Sequence, residues 1–365
     1  MATLADQIAS LEAEINKTQY NKATQHHVGL IKAKIAKMRE KAETRARASS
    51  GPGEGYQVRK TGDGTVILLG FPSTGKSTLL NTLCGTESAV AAYAFTTLTM
   101  IPGTMQHKHA RIQILDVPGI VQGASTGKGR GKEVLAVMRN ADLCLLVVDA
   151  LRPVELSVIR KEAEAVGIRM NQRRPDVRIT KTAKDGIKIA STVKLTKIDH
   201  TTVKEILREF RINNADVIIR DDITIDEFID CVEDNKKYMP CIVVFNKADL
   251  LMDGQRKELQ KQYHPDLLVS AQRKENIDAL RDLIYDRLQL MSIYLKEPGK
   301  EADLKVPMIM FRGSTLRVLC EKLHKDFIGK FKFARVWGAS AKFGGQKLML
   351  NHMLKDGDVV EIHLK

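Results

Sequence analysis

The sequence predicts an α/β chain: a mostly parallel sheet with helices on both faces, interrupted by an inserted α+β subdomain, preceded by a helical hairpin and followed by a small α+β unit. Two observations predict it. Apolar runs at Thr65 to Leu69, Ile112 to Leu115, Leu143 to Val148, Ile242 to Phe245 and Leu267 to Val269 alternate with helical patterns. The alternation then breaks between about Gly167 and Asn235 and resumes at Cys241. With 365 residues the chain has room for two or three domains.

Each element follows from local pattern. Residues 1–50 place Leu4, Ile8, Leu11 and Ile15, then Val28, Ile31, Ile35 and Met38, at the spacing of one helix face. The polar stretch Asn16 to His27 should turn the chain between these two helices. The free face of the hairpin is expected to be basic near Lys32, Lys34, Lys37, Arg39 and Lys41, and to serve either packing on a neighbouring domain or partner binding. Adjacent His26 and His27 cannot face one way on a helix. Residues 51–61 begin Gly-Pro-Gly-Glu-Gly and read as a linker.

Residues 62–166 and 236–290 form the predicted sheet domain, and 167–235 the insert. Within the insert, Ile168 to Lys197 holds nine basic residues against two acidic ones. Helix, strand, helix then follow at Thr202 to Phe210, Asp216 to Ile219 and Ile225 to Val232. Residues 291–365 close on Asp356-Gly357-Asp358, a tight turn feeding the alternating strand Val359 to His363. Arg317 to Lys347 carries eight basic residues against two acidic ones, with Phe331, Phe333, Trp337 and Phe343 interleaved. RNA contact by phosphate pairing and stacking is one use of such a surface, and a protein-only contact is the other.

Composition narrows the class. Hydrophobic residues at 43% and charged residues at 28% exclude a wholly disordered chain. Five cysteines, odd in number and never spaced as CxxC, suggest reduced cytoplasmic thiols rather than a disulfide framework or zinc site. No apolar stretch reaches membrane-spanning length and no leader pattern opens the chain, so a soluble cytoplasmic protein with no membrane partner is expected. The net charge of +14 points to a polyanionic partner, although a merely charged surface gives the same number.

Four motifs carry chemistry. Gly70-Phe71-Pro72-Ser73-Thr74-Gly75-Lys76-Ser77 matches GxxxxGK[ST] between a strand and a helical stretch opening at Thr78. Its glycines let backbone N–H groups wrap a phosphate, Lys76 would reach the outer phosphates, and the Ser77 hydroxyl would hold Mg²⁺. Asp116-Val117-Pro118-Gly119 supplies DxxG, with the carboxylate facing the metal and the Gly119 N–H the γ-phosphate. Asn246-Lys247-Ala248-Asp249 matches NKxD. Asp249 can accept both the N1–H and the 2-amino group of guanine, a pair that adenine lacks. Ser270-Ala271 completes the base pocket with a backbone N–H for guanine O6. The ligand is therefore GTP or GDP.

Asn21-Lys22-Ala23-Thr24 with His26-His27, Gly51 to Gly55, Ala91-Ala92-Tyr93 with Phe95-Thr96-Thr97-Leu98-Thr99, and Gly127-Lys128-Gly129-Arg130-Gly131 extend the match. With them the chain resembles, over essentially its whole length, the developmentally regulated GTP-binding proteins, cousins of the bacterial Obg GTPases. The resemblance implies a P-loop GTPase domain with an insert and a C-terminal TGS domain of ubiquitin-like β-grasp fold. It also implies association with ribosomes or structured RNA and with a dedicated regulatory partner of that family; a monomer is favoured. Matching by position, Thr97 is the first-switch threonine that reaches Mg²⁺, with Thr96 as the fallback. A glycine-rich second switch would run from Gly119 to Gly131.

Ile120 stands where a glutamine would orient the attacking water, so intrinsic hydrolysis should be slow and no catalytic residue is assigned. Help would come from a partner, a ribosomal surface or a K⁺ ion beside the P-loop. Potassium-using relatives carry asparagine at the position of Ser73, which counts against K⁺. Two functions remain: a GTP-hydrolysing switch on ribosomes, or a scaffold with nucleotide as a structural ligand.

Overall fold

The computed structural model describes residues 4–19, 24–49, 62–85, 101–116, 138, 140–165 and 167–365. Linker 51–61, Thr96, Thr97, Gly119, Ile120 and the rest of the second switch lie outside them. The described chain forms two compact units, one from the N-terminal segment with Gln172–Tyr238, the other within Tyr56–Asn171 and Met239–Lys365.

The first unit is built on helices α1 (Leu4–Lys17) and α2 (Gln25–Ser49). The turn between them is shorter than the polar stretch Asn16 to His27, because Asn16 and Gln25 to His27 are already helical. Strands β6 (Val177–Lys181) and β7 (Ile187–Ser191) flank β8 (Ala215–Ile219) in a three-stranded sheet, antiparallel and parallel to it respectively. Helices α5 (His200–Glu209) and α6 (Ile225–Glu233) cover one face. Val203, Ile206, Phe228 and Ile229 bury there with Val217 and with Ala33 of α2. The basic face expected on α2 is therefore not wholly free: Lys32 pairs with Asp226 at 2.6 Å and Lys37 with Glu209 at 3.1 Å. His26 pairs with Glu205 and His27 with Glu14, as neighbours on a helix must diverge.

In the second unit a six-stranded sheet runs β11-β10-β4-β1-β3-β2 among the described residues. Strands β1 (Gly64–Leu69), β3 (Ala110–Asp116), β4 (Leu143–Asp149), β10 (Cys241–Asn246) and β11 (Leu267–Leu268) are parallel. Edge strand β2 (Ile101–His107) is antiparallel to β3. It was not anticipated, since Pro102 and Gly103 hide its strand pattern and only an edge tolerates that proline. Alternation sends side chains to opposite faces. Ile67, Leu146 and Phe245 pack under helices α4 (Glu155–Ala165) and α7 (Asp253–Tyr263), while Leu68, Val147 and Val244 pack under α3 (Lys76–Cys84) and α8 (Ile277–Arg287). Both faces are covered, so β1, β4 and β10 are buried at every position.

Strand β5 (Ile168–Met170) precedes the insert and β9 (Lys237–Met239) follows it along the chain. All five cysteines are free thiols. Cys144 and Cys241 face each other in register across β4 and β10, and burial, with Cys241 beside it, pushes the Cys144 thiol well up.

The chain closes in a β-grasp unit of strand order β13-β12-β16-β14-β15. Its strands are β12 (Leu290–Lys296), β13 (Met308–Phe311), β14 (Phe331–Trp337), β15 (Gln346–Leu348) and β16 (Val359–Leu364). Helix α9 (Leu316–Leu323) buries Leu316, Leu319 and Cys320 against Met291, Ile293, Val336 and Val360. On the other face Lys296, Glu361, Arg335 and Lys347 stand opposite one another in a row across four strands. Of the aromatics in this stretch, Phe331 is buried and Phe343 is exposed. Phe333 stacks on His363 at 4.4 Å under Lys347, and Lys296 covers Trp337.

Candidate nucleotide-binding site

In an open parallel sheet the loops at the carboxyl ends of the strands converge, and ligands sit where strand order reverses. Here β1 is flanked by β3 on one side and β4 on the other, and the motifs leave the ends of β1, β3, β10 and β11. The fold thereby collects residues nearly 200 positions apart.

The P-loop turns through Ser73 at φ 66° and Gly75 at φ 84°, both left-handed. Gly75 has a second reason to be glycine, because a Cβ there would strike the Asn246 side-chain amide. Gly75 also caps α3 without any side-chain hydrogen bond, which leaves the first-turn N–H groups to meet an anion. The Lys76 ammonium is folded onto the Gly70 and Phe71 carbonyls at 2.9 and 2.8 Å. Burial lowers its pKa, and the charges of Asp116 and Glu155 partly oppose the shift.

The Ser77 hydroxyl donates to Asp116 Oδ2 at 3.0 Å, bringing the two nominated metal ligands together. Asp116 is 4% exposed, and its Oδ1 is buried without a hydrogen-bond partner. Burial raises its pKa, with Lys76 and the Ser77 bond pulling the other way. An orphaned carboxylate oxygen beside a hydroxyl is a hard-oxygen donor set that suits Mg²⁺. Thr97 would have to join from outside the described residues.

Asn246 is the joint of the site. Its amide donates to the Thr74 carbonyl at 2.9 Å and accepts the Ala271 N–H at 3.0 Å, tying the P-loop to the base pocket. The Ser270 N–H goes to the Glu275 carbonyl at 3.2 Å. Both backbone donors considered for guanine O6 are thus already engaged, and the Ala271 donor must leave Asn246 to serve a base. Asp249, with its side chain 8% exposed, faces the Arg273 guanidinium at 3.4 Å. Lys247 pairs with Asp149 at 2.6 Å.

Asp149, Glu155 and Arg273 were not nominated from sequence. A signal existed for Asp149: it ends an apolar strand, as Asp116 and Asn246 end theirs. Glu155 Oε2 is buried without a partner. Its pKa is raised by burial against the Arg152 charge, with Asp149 adding to the rise and Lys247 and Lys76 opposing it.

A strand-loop-helix turn of P-loop sequence, a serine bonded to an aspartate and an Asn-Lys-x-Asp turn at the carboxyl ends of one parallel sheet define a P-loop GTPase. Sequence comparison agrees, with residues 65–184 matching the model of the 50S ribosome-binding GTPase family, 184–290 the C-terminal region of that domain, and 291–364 the TGS domain. An uncharacterised GTP-binding protein of Methanocaldococcus jannaschii is 50% identical, the match covering 99% of this chain and 93% of that one. Developmentally-regulated GTP-binding protein 1 of Xenopus laevis is 45% identical over 99% and 98% of the two chains. Developmentally-regulated GTP-binding protein 2 of Homo sapiens is 41% identical over 98% and 99%. The chain belongs to the family of developmentally regulated GTP-binding proteins, GTPases of the Obg-related type.

Proposed function

We propose that the protein is a Mg²⁺-dependent GTP-hydrolysing switch that works on ribosomes and turns over slowly by itself. The observation that carries the nucleotide half is the Ser77–Asp116 bond with its orphaned Asp116 oxygen, at the same ends of the parallel strands from which Lys76 and Asp249 follow. Bound Mg²⁺ would be held by Ser77 and Asp116, with Thr97 added in the GTP state, and would supply charge neutralisation at the phosphates. Lys76, freed from the Gly70 and Phe71 carbonyls, would meet the outer phosphates, and Gly119 the γ-phosphate. GTP would order the switch loops and hydrolysis would release them.

Ile120 after the DxxG motif supports slow turnover, because its side chain has no group that could orient water. The same residue favours the second reading, a nucleotide-stabilised scaffold for protein or RNA partners. Ribosome or structured-RNA binding is supported by the Lys296, Arg335 and Lys347 side chains on the TGS sheet, and a dedicated regulatory partner by membership of the family. Ser73, where potassium-using relatives carry asparagine, counts against K⁺ dependence. Turnover of GTP should rise on adding ribosomes. A rate that is negligible in both conditions would decide for the scaffold.

A further inference from the structure

Asp149 ends β4 directly opposite Asn246 at the end of β10. Its two oxygens do different things. Oδ1 accepts the Leu151 N–H at 2.9 Å, turning the chain out of the strand. Oδ2 accepts the Lys247 ammonium at 2.6 Å, and the side chains are 9% and 33% exposed. Lys247 holds a left-handed φ of 64°, a conformation that residues with a Cβ rarely adopt. From that turn its side chain reaches across to the end of the neighbouring strand. The Ala150 N–H, donating to the Asn246 carbonyl at 2.9 Å, closes the two strand ends together.

A free lysine stem has four rotors, and ordering them when a ligand arrives subtracts from affinity. The Asp149 contact orders this stem in advance, beside an asparagine already tied to Thr74 and Ala271. Glu155, Arg152 and Lys76 contribute to the same field, but of the described groups only Asp149 is bonded to the Lys247 ammonium.

We propose that Asp149 is a positioning residue for guanine recognition: it fixes Lys247 so that the lysine stem offers a preformed wall to the purine. The inference rests on the guanine-binding reading above. Asp149→Asn is the discriminating variant, since it keeps the size and the acceptor for Leu151 but removes the charge that holds the ammonium. GDP affinity should fall about tenfold, the order expected for losing a hydrogen bond to a charged group. Affinity for inorganic triphosphate, which has no base, should not change. Lys247→Met, which keeps the stem and loses its anchor, should lose as much, and the double variant should be no weaker than either single one.

Additive losses, an Asp149→Asn protein that binds GDP like the parent, or an equal loss of triphosphate binding would each overturn the proposal. If Asp149→Asn does not fold, Asp149→Ser, which also keeps an acceptor for Leu151, decides by the same GDP and triphosphate titrations. A parent protein that binds ADP as well as GDP would instead defeat the guanine reading itself.

Discussion

At the scale of single residues, the site stores cost where the ligand will land. Asp116 is an ionisable group in a buried place with one oxygen unpartnered, so its charged form is disfavoured by folding. Its folded pKa lies above the unfolded value. Below the unfolded value the group is neutral in both states and costs nothing; as pH rises through the folded value the full penalty appears. Asp116→Asn should therefore raise the melting temperature of the nucleotide-free protein at about pH 7, with the gain shrinking as pH falls into the carboxylate range. The same variant should lose Mg²⁺-dependent GTP binding. A gain that stays constant across pH would refute the electrostatic origin. Asp249 gives the companion prediction: Asp249→Asn replaces an acceptor pair by a mismatched donor and should cost on the order of 3 kcal/mol of GTP affinity, read by calorimetric titration. Undiminished GTP binding would mean that the base lies elsewhere.

At the scale of elements, α3 and α6 show opposite uses of a helix start. Helix α6 closes its first turn with a full capping box, Thr224 accepting from the Glu227 N–H and Glu227 accepting from the Thr224 N–H. Helix α3 has no side-chain cap, and its free N–H groups face the phosphate position. Thr224→Ala should lower the stability of the first unit by about 1 kcal/mol and leave GDP affinity unchanged. Gly75→Ala should lower GDP affinity as well as stability, since a Cβ at φ 84° is strained and pushes on Asn246, disturbing the P-loop and the Asn-Lys-x-Asp turn together. Thermal melts and nucleotide titrations on both variants test the division; a Gly75→Ala protein with parental affinity would sink it.

At the scale of the whole molecule, the basic charge is concentrated. The stretches Ile168 to Lys197 and Arg317 to Lys347 hold most of the net +14. Removing the TGS domain to test its share would do more than delete charge, because Ile309 belongs to the core under the GTPase sheet and Lys322 pairs with Asp63 at 2.9 Å. Charge reversal is the cleaner change. Arg335→Glu with Lys347→Glu, both exposed on the sheet face, should weaken ribosome cosedimentation and flatten its salt dependence while GDP binding stays intact. Cosedimentation that is unchanged in strength and in salt response would remove this face from the ribosome contact.

The sequence by itself determined the nucleotide chemistry. Gly70 to Ser77, Asp116, Asn246 to Asp249 and Ser270, the residues proposed for it, would act through backbone geometry and functional groups that short spacing encodes, and each motif lies at the end of a strand whose apolar run is visible. It also showed the order of the core strands along the chain. Only the tertiary structure decided how the motifs are joined. Asn246 bridges Thr74 and Ala271, and Asp149 anchors Lys247, across separations of 25 to 172 positions on which no local pattern bears. Pairing likewise decided the edge strand β2, where proline and glycine weaken the local signal, and the fate of Lys32 and Lys37 on α2, which became bonded once the helix met α5 and α6. Periodicity reports which face of an element is apolar; which surface covers it depends on contacts between segments far apart in sequence, and those exist only once the chain has folded.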